Sequence, residues 1–242
     1  MQASLLPHDL PKIPGYSFCA HYEPALEVGG DYYDFIPLPN QRLAILLGDV
    51  AGKGVAAALI MVKFSVEARA SLLSAPDLAA AVSQLNARMT RASLTDRFVT
   101  LIAVMLDTAT HMVTLVNAGH PSPLLFHFAT GAIEQAALVN VAGPPIGIED
   151  DHKYSCCQVP VQPGDRLLLF SDGITEAMDA YSRTFGEMKL HPIFSQPLSV
   201  RETGEKLVEA VKRHASGCQQ NDDITLVCLG RQPIEKESEC DR

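Results

Sequence analysis

Short acidic segments recur along this chain beside glycine or at the end of an apolar run: Gly29-Gly30-Asp31 with Asp34 three residues on, Gly48-Asp49, Ser171-Asp172-Gly173 and Asn221-Asp222-Asp223. Carboxylates drawn together from such distant places repel one another unless a cation stands between them. Two like charges about 4 Å apart cost roughly 1 kcal/mol in water and several times that in a partly dry site. A divalent ion is the simplest remedy. The donors are all oxygen, with no Cys or His at metal-ligand spacing, and that selects hard ions such as Mg²⁺ or Mn²⁺ over Zn²⁺. Taken singly, each segment reads as a turn or a solvated strand end. Their repetition at strand ends is what points to convergence at one edge of stacked sheets.

Other motifs carry less chemistry. Gly48-Asp49-Val50-Ala51-Gly52-Lys53-Gly54 joins a strand to a helix as a phosphate-binding loop does, but position 47 is Leu and position 54 is Gly, so the P-loop spacing fails. Ser171 has no nucleophile elbow around it. Asn117-Ala118-Gly119-His120-Pro121 is a polar loop between strands, and the remaining histidines are scattered. The six cysteines show no C-x-x-C pair and two of them, Cys156 and Cys157, are adjacent. Free thiols of a reducing compartment are expected, with Cys19 and Cys228 inside apolar strands.

The elements that must position the acids follow from periodicity and turn residues. Strands are expected over 16–22, 31–38 and 42–50, the last two joined at Pro39-Asn40. The run 55–73, rich in Ala, Leu, Met and Val, reads as a helix apolar on most faces and therefore buried, with no exposed apolar stripe. A second helix follows over 77–91, with Asp77 favourable at its N-terminus. Strands over 98–106, 112–117, 123–128, 133–136, 153–161 and 166–170 suggest an antiparallel meander. Helices over 187–194 and 200–215 precede a final strand over 224–229, and the order describes an α+β layered domain.

At 242 residues with 47% hydrophobic residues, one domain with a sizeable core is expected. A net charge of −9 and the lack of a Lys/Arg cluster exclude a nucleic-acid-binding surface. The longest apolar stretch, 55–62, is far below the roughly 20 residues needed to cross a bilayer, and residues 1–10 lack a leader's basic and apolar regions. A cytoplasmic protein with no membrane contact from this segment is expected.

Seven motifs in order make a resemblance: Val28-Gly29-Gly30-Asp31-Tyr32-Tyr33-Asp34-Phe35, the 48–54 segment, Arg97-Phe98-Val99-Thr100, Asn117-Ala118-Gly119-His120, Gly143-Pro144-Pro145-Ile146-Gly147, Phe170-Ser171-Asp172-Gly173-Ile174-Thr175-Glu176 and Asp222-Asp223-Ile224-Thr225. From about Leu5 to Arg231 the chain resembles the bacterial metal-dependent protein phosphatases of the protein phosphatase 2C superfamily, in the branch of sporulation stage II protein E and the stress-sigma-factor regulator phosphatases. The resemblance implies an αββα sandwich with two antiparallel β-sheets flanked by helices and a two-metal site at one sheet edge. It implies that residues 1–231 are a catalytic domain excised from a longer regulated protein, followed by a charged tail over 232–242.

By resemblance, Asp49 bridges two Mn²⁺ or Mg²⁺ ions, Val50 lends its backbone carbonyl, Asp172 and Asp222 hold the second ion, and Asp31 acts on the other. The implied reaction is direct attack of a metal-generated hydroxide on phosphoserine or phosphothreonine, with no phosphoenzyme. The implied substrate is a small anti-anti-sigma (STAS) type protein. The eukaryotic branch carries a phosphate-binding Arg and a proposed general-acid His where this chain has Leu26 and Ala51. Asp34, Lys53, Asn117, His120 and Asp223 are therefore weaker candidates for supporting roles. An upstream sensory or receiver domain and a homodimer through the first two helices are further expectations. The alternatives are a phosphoprotein-binding pseudophosphatase and a hydrolase of small phosphate esters.

Overall fold

In a computed structural model of the chain, which describes residues 6–91, 97–137 and 142–233, the architecture is organised around the apolar run before Gly48. Strand β3 (Arg42–Val50) is paired on both edges, with β2 (Tyr32–Leu38) and with β4 (Val99–Asp107). Leu43 to Leu47 are all buried, as a strand covered on both faces requires. β5 (Met112–Ala118) and β8 (Cys157–Pro160) complete an antiparallel sheet of order β2-β3-β4-β5-β8. The second sheet has the order β1-β10-β9-β6-β7, formed by β1 (Tyr16–Glu23), β6 (Leu124–His127), β7 (Ala132–Gln135), β9 (Arg166–Phe170) and β10 (Ile224–Arg231).

Strand periodicity sorts the second sheet's side chains between two cores. Leu167, Leu169, Val227 and Leu229 join Ile45, Leu47, Val104 and Leu115 in the larger core. Their neighbours Leu168, Phe170, Leu226 and Cys228 pack with Phe194, Leu207 and Val211 on the other face. Those last residues belong to α4 (His191–Phe194) and α5 (Val200–His214), and α5 opens with a reciprocal capping box between Ser199 and Glu202. On the opposite side lie α1 (Gly54–Ser74) and α2 (Leu78–Arg91), where Asp77 Oδ1 accepts a hydrogen bond from the Ala80 amide. The result is the expected sandwich of two antiparallel sheets with helices outside.

Four sequence expectations change. Helix α1 buries Ala57, Met61, Phe64 and Ala68, but Val55, Leu59, Val66 and Leu73 are each more than 60% exposed and form one stripe. A helix apolar all round need not be buried all round; here one face meets the sheet and α2 while the opposite face stays uncovered. The strands from β4 to β9 are not one meander, since β6, β7 and β9 join the second sheet and the two ends of the fold meet as β1 beside β10. The stretch before Cys157 does not enter the ladder. There the Tyr154 amide donates to Ser83 Oγ and its hydroxyl to the Pro144 carbonyl. Finally, 187–194 splits into a 3₁₀ turn, Glu187–Lys189, and the single turn of α4, and a short helix α3 (Asp172–Thr175) follows β9.

Among the described residues no helix is long and apolar enough to cross a membrane. Cys19 and Cys228 stand opposite each other in the β1–β10 pairing as free thiols, and Cys156 and Cys218 are free as well. Cys240 and most of the charged tail lie outside the described residues.

Candidate metal and catalytic site

The topology brings the acids to one edge. Tyr32 pairs with Gly48, so Asp31 and Asp49 sit at the same end of the first sheet. Phe170 pairs with Leu226, so Asp172, just past β9, and Asp222-Asp223, just before β10, share one end of the second. Two glycines make the approach close enough. A Cβ on Gly29 would collide with the Asp223 carboxylate, and one on Gly173 would collide with the Asp223 carbonyl.

The four groups lie within reach of one another's charge. Burial, then the charges of Asp172, Asp222 and Asp223, push the Asp49 carboxyl up to about 7, while a hydrogen bond from Asp31 pulls the other way. Asp31 is almost wholly buried, and burial followed by Asp49 raises it well above the carboxylate range. Its Oδ2 accepts from the Thr225 hydroxyl. Asp172 is raised by burial and then by Asp222 and Glu176. Such a set is strained by its own charge, and the oxygen donors fit in kind a hard divalent cation. Among the described residues, however, no three carboxylate, imidazole or thiol groups are drawn close enough to enclose an ion as they stand.

Neighbours explain that openness. Lys53 Nζ lies 3.2 Å from Asp222 Oδ2, placing a protein cation against one of the acids. Asp223 is spent on the backbone, accepting from the amides of Ala25 at 2.8 Å, Gly30 at 2.7 Å and Asp31 at 3.1 Å. It thereby fastens the loop that carries Asp31 onto the start of β10, a positioning role. Val50 is buried at the end of β3, next to Asp49.

Three weaker candidates are held by partners of their own. Asp34 is fully buried beneath α1, held by Arg69 Nε at 2.7 Å, the Tyr32 hydroxyl at 2.6 Å and the Phe35 amide at 2.9 Å. It is three residues past Asp31, so the strand's alternation turns it to the opposite face of the sheet. Asn117 and His120 are buried and bond to each other's loop: the Asn117 amide donates to the His120 carbonyl, and the His120 N–H to Asn117 Oδ1. The His120 ring meets Thr100 Oγ1 at 2.8 Å, and burial lowers its pKa to about 3. The imidazole is thus held neutral and enclosed, bonded to the residue that pairs with Asp49.

The sequence reading missed Arg97 as an individual residue. Its guanidinium donates to the Ala51 carbonyl at 2.8 Å and lies over Gly52, where a side chain would collide with it. The sequence signal was its place in the Arg97-to-Thr100 motif, but nothing there shows that it shapes the 50–53 loop. Thr225 and Ser171, which bond to one another's strands and to Asp31, were also unmarked.

A layered sandwich with carboxylates gathered between the sheet ends defines a class, and solved structures share the fold. The PP2C domain of SiaA from Pseudomonas aeruginosa superposes with a TM-score of 0.76 at 22% identity, over 88% of this chain and 85% of that one. The model of the stage II sporulation protein E (SpoIIE) family matches residues 39–232, and the chain belongs to that family. Among curated proteins it is similar to protein IcfG of Synechocystis, 26% identical over 96% of this chain and 40% of the relative. It is also similar to the phosphoserine phosphatase RsbP of Bacillus subtilis, 24% identical over 87% of this chain and 51% of that protein. The chain thus spans about half or less of the length of these relatives.

Proposed function

We propose that the chain is a metal-dependent protein serine/threonine phosphatase that removes phosphate from a small signalling protein of the STAS type. The observation that carries this reading is Asp49, whose carboxyl is raised to about 7 by burial and by three neighbouring aspartates. Family membership and the phosphoserine phosphatase among its relatives support it. Asp49, Asp172, Asp222, Asp31 and the Val50 carbonyl are the groups that would hold two Mn²⁺ or Mg²⁺ ions. Once bound, such ions supply Lewis acidity and charge neutralisation for in-line displacement at phosphorus.

The chain's own contribution is positioning. Asp223 holds the Asp31 loop, Thr225 and Ser171 orient the Asp31 carboxyl, and Arg97 fixes the loop after Asp49. Lys53 balances Asp222 and stands ready at the rim for an incoming phosphoryl oxygen. The exposed stripe on α1 supports pairing with a second copy, and the partial span of the relatives supports an upstream regulatory domain. A cytoplasmic setting agrees with the free thiols.

The test is hydrolysis of p-nitrophenyl phosphate and of a phosphoserine peptide with Mn²⁺, Mg²⁺ or EDTA, beside Asp49→Ala and Asp172→Ala. Metal-dependent turnover lost in both variants is expected. Turnover that survives EDTA or Asp49→Ala would sink the reading. Phosphoprotein binding without any turnover would make the chain a docking module.

A further inference from the structure

A cavity of about 260 Å³ opens beside the acidic site, and Asp222 and Gly173 belong to its lining. Its floor is apolar, from Ala177 just past α3, Ala215 at the end of α5 and Ile224 at the start of β10, while Glu176, Lys212, Gln219 and Asn221 make an exposed polar rim. Ala177 and Ile224 are buried, whereas Met178 is exposed at the mouth. The volume is below the roughly 300–1,000 Å³ of sites that enclose an independent small ligand. It is ample for one side chain.

Charge decides which kind. Of the charged groups at the rim, Lys53 is paired with Asp222 and Lys212 with Glu23 at 2.5 Å, and Glu176 faces solvent. Inside that rim the floor of Ala177, Ala215 and Ile224 carries no charge and gains by excluding water. We infer that this cavity is a substrate subsite, taking one aliphatic side chain of the polypeptide close in sequence to the phosphorylated residue. The inference rests on the phosphatase reading and gives it a specificity determinant. A chain whose phosphoryl group lies at Asp49 and Asp222 must lay its neighbouring residues over the adjoining surface. This cavity is the apolar recess that the shared Asp222 and Gly173 place there.

The experiment compares phosphoserine peptides carrying Leu or Gly at each position flanking the phosphoserine, with p-nitrophenyl phosphate as a substrate that has no flanking residues. In the unmodified chain, leucine at one position should raise kcat/KM by about tenfold or more, the scale of burying a few methylenes in an apolar pocket. Ala215→Phe, which fills the cavity, should erase that preference and leave p-nitrophenyl phosphate turnover unchanged. Met178→Ala, which opens the mouth, should weaken it without disturbing the fold.

Cys218, a half-buried thiol on the same wall, gives a reading independent of turnover. The leucine peptide should slow its alkylation, while exposed Cys156 reacts as before. No positional preference, or a preference that survives Ala215→Phe in a folded protein, would overturn the subsite while leaving the phosphatase intact. Loss of all p-nitrophenyl phosphate turnover in the unmodified chain would remove the phosphatase reading and the subsite with it.

Discussion

His120 shows how far a residue's role is set by what encloses it. A free imidazole titrates near 6.5, yet burial holds this one neutral down to about 3. The unfolded chain therefore takes up a proton below about pH 6.5 that the folded chain refuses, and stability from this group is lost as pH falls through that window at about 1.4 kcal/mol per unit. Asp49 acts oppositely, since protonating a carboxyl raised to about 7 relieves repulsion as pH falls. A comparison isolates the imidazole. In urea unfolding between about pH 7 and pH 5, the stability gap between the unmodified chain and His120→Gln should narrow toward acid; a gap independent of pH would mean that folding leaves the ring's proton affinity unchanged. The sequence marked Asn117 to His120 as a polar loop, and such a loop is normally at the surface. Only the packing of the two sheets puts it inside, so residue type alone could not separate a structural imidazole from a catalytic one.

At the scale of elements, α1 is tied to the sheet beneath it by one ion pair. Asp34 on β2 is fully buried, and Arg69 reaches it from a half-exposed position on α1 with Nε at 2.7 Å and Nη2 at 2.8 Å. Removing the guanidinium strands a carboxylate in the helix–sheet layer, so Arg69→Ala should cost about 2–3 kcal/mol, below the 3–5 of a fully buried pair because Arg69 keeps water contact. Adding Asp34→Asn should restore part of that loss. Thermal melts of the two single variants and the double variant would show it, and strictly additive effects would deny the coupling. The opposite face of α1 is the part the sequence concealed. With apolar residues on all sides, its pattern contains no period that separates the face toward β3 from the stripe of Val55, Leu59, Val66 and Leu73. The charged face that usually marks the solvent side is missing. Leu59→Glu with Val66→Glu should convert a dimer to a monomer in sedimentation and remove the dependence of melting temperature on protein concentration. A monomeric unmodified chain would leave the stripe to another partner.

The whole molecule is two sheets whose ends meet in mutual repulsion. The strand ends holding the acids were legible in the sequence, because each acid follows or precedes an apolar run that only a buried strand explains. The pairing of β10 between β1 and β9 was not, since it joins the two ends of the fold and leaves no local signal. That pairing sets Asp172 and Asp222 of one sheet against Asp49 of the other. A cation bound there would fasten both sheets at once, and its binding energy would enter the stability of the whole fold. At an ion concentration about 100 times Kd the gain is about 2.7 kcal/mol, which for a domain of this size raises the melting temperature by about 5–10 °C. Asp49→Asn should melt higher than the unmodified chain in EDTA, because one repelling charge is gone, and should gain little from Mn²⁺. The sign of that first difference is the decisive reading. If Asp49→Asn is less stable than the unmodified chain in EDTA, the acids are held together by hydrogen bonding, and the site does not store the repulsion that a metal would relieve.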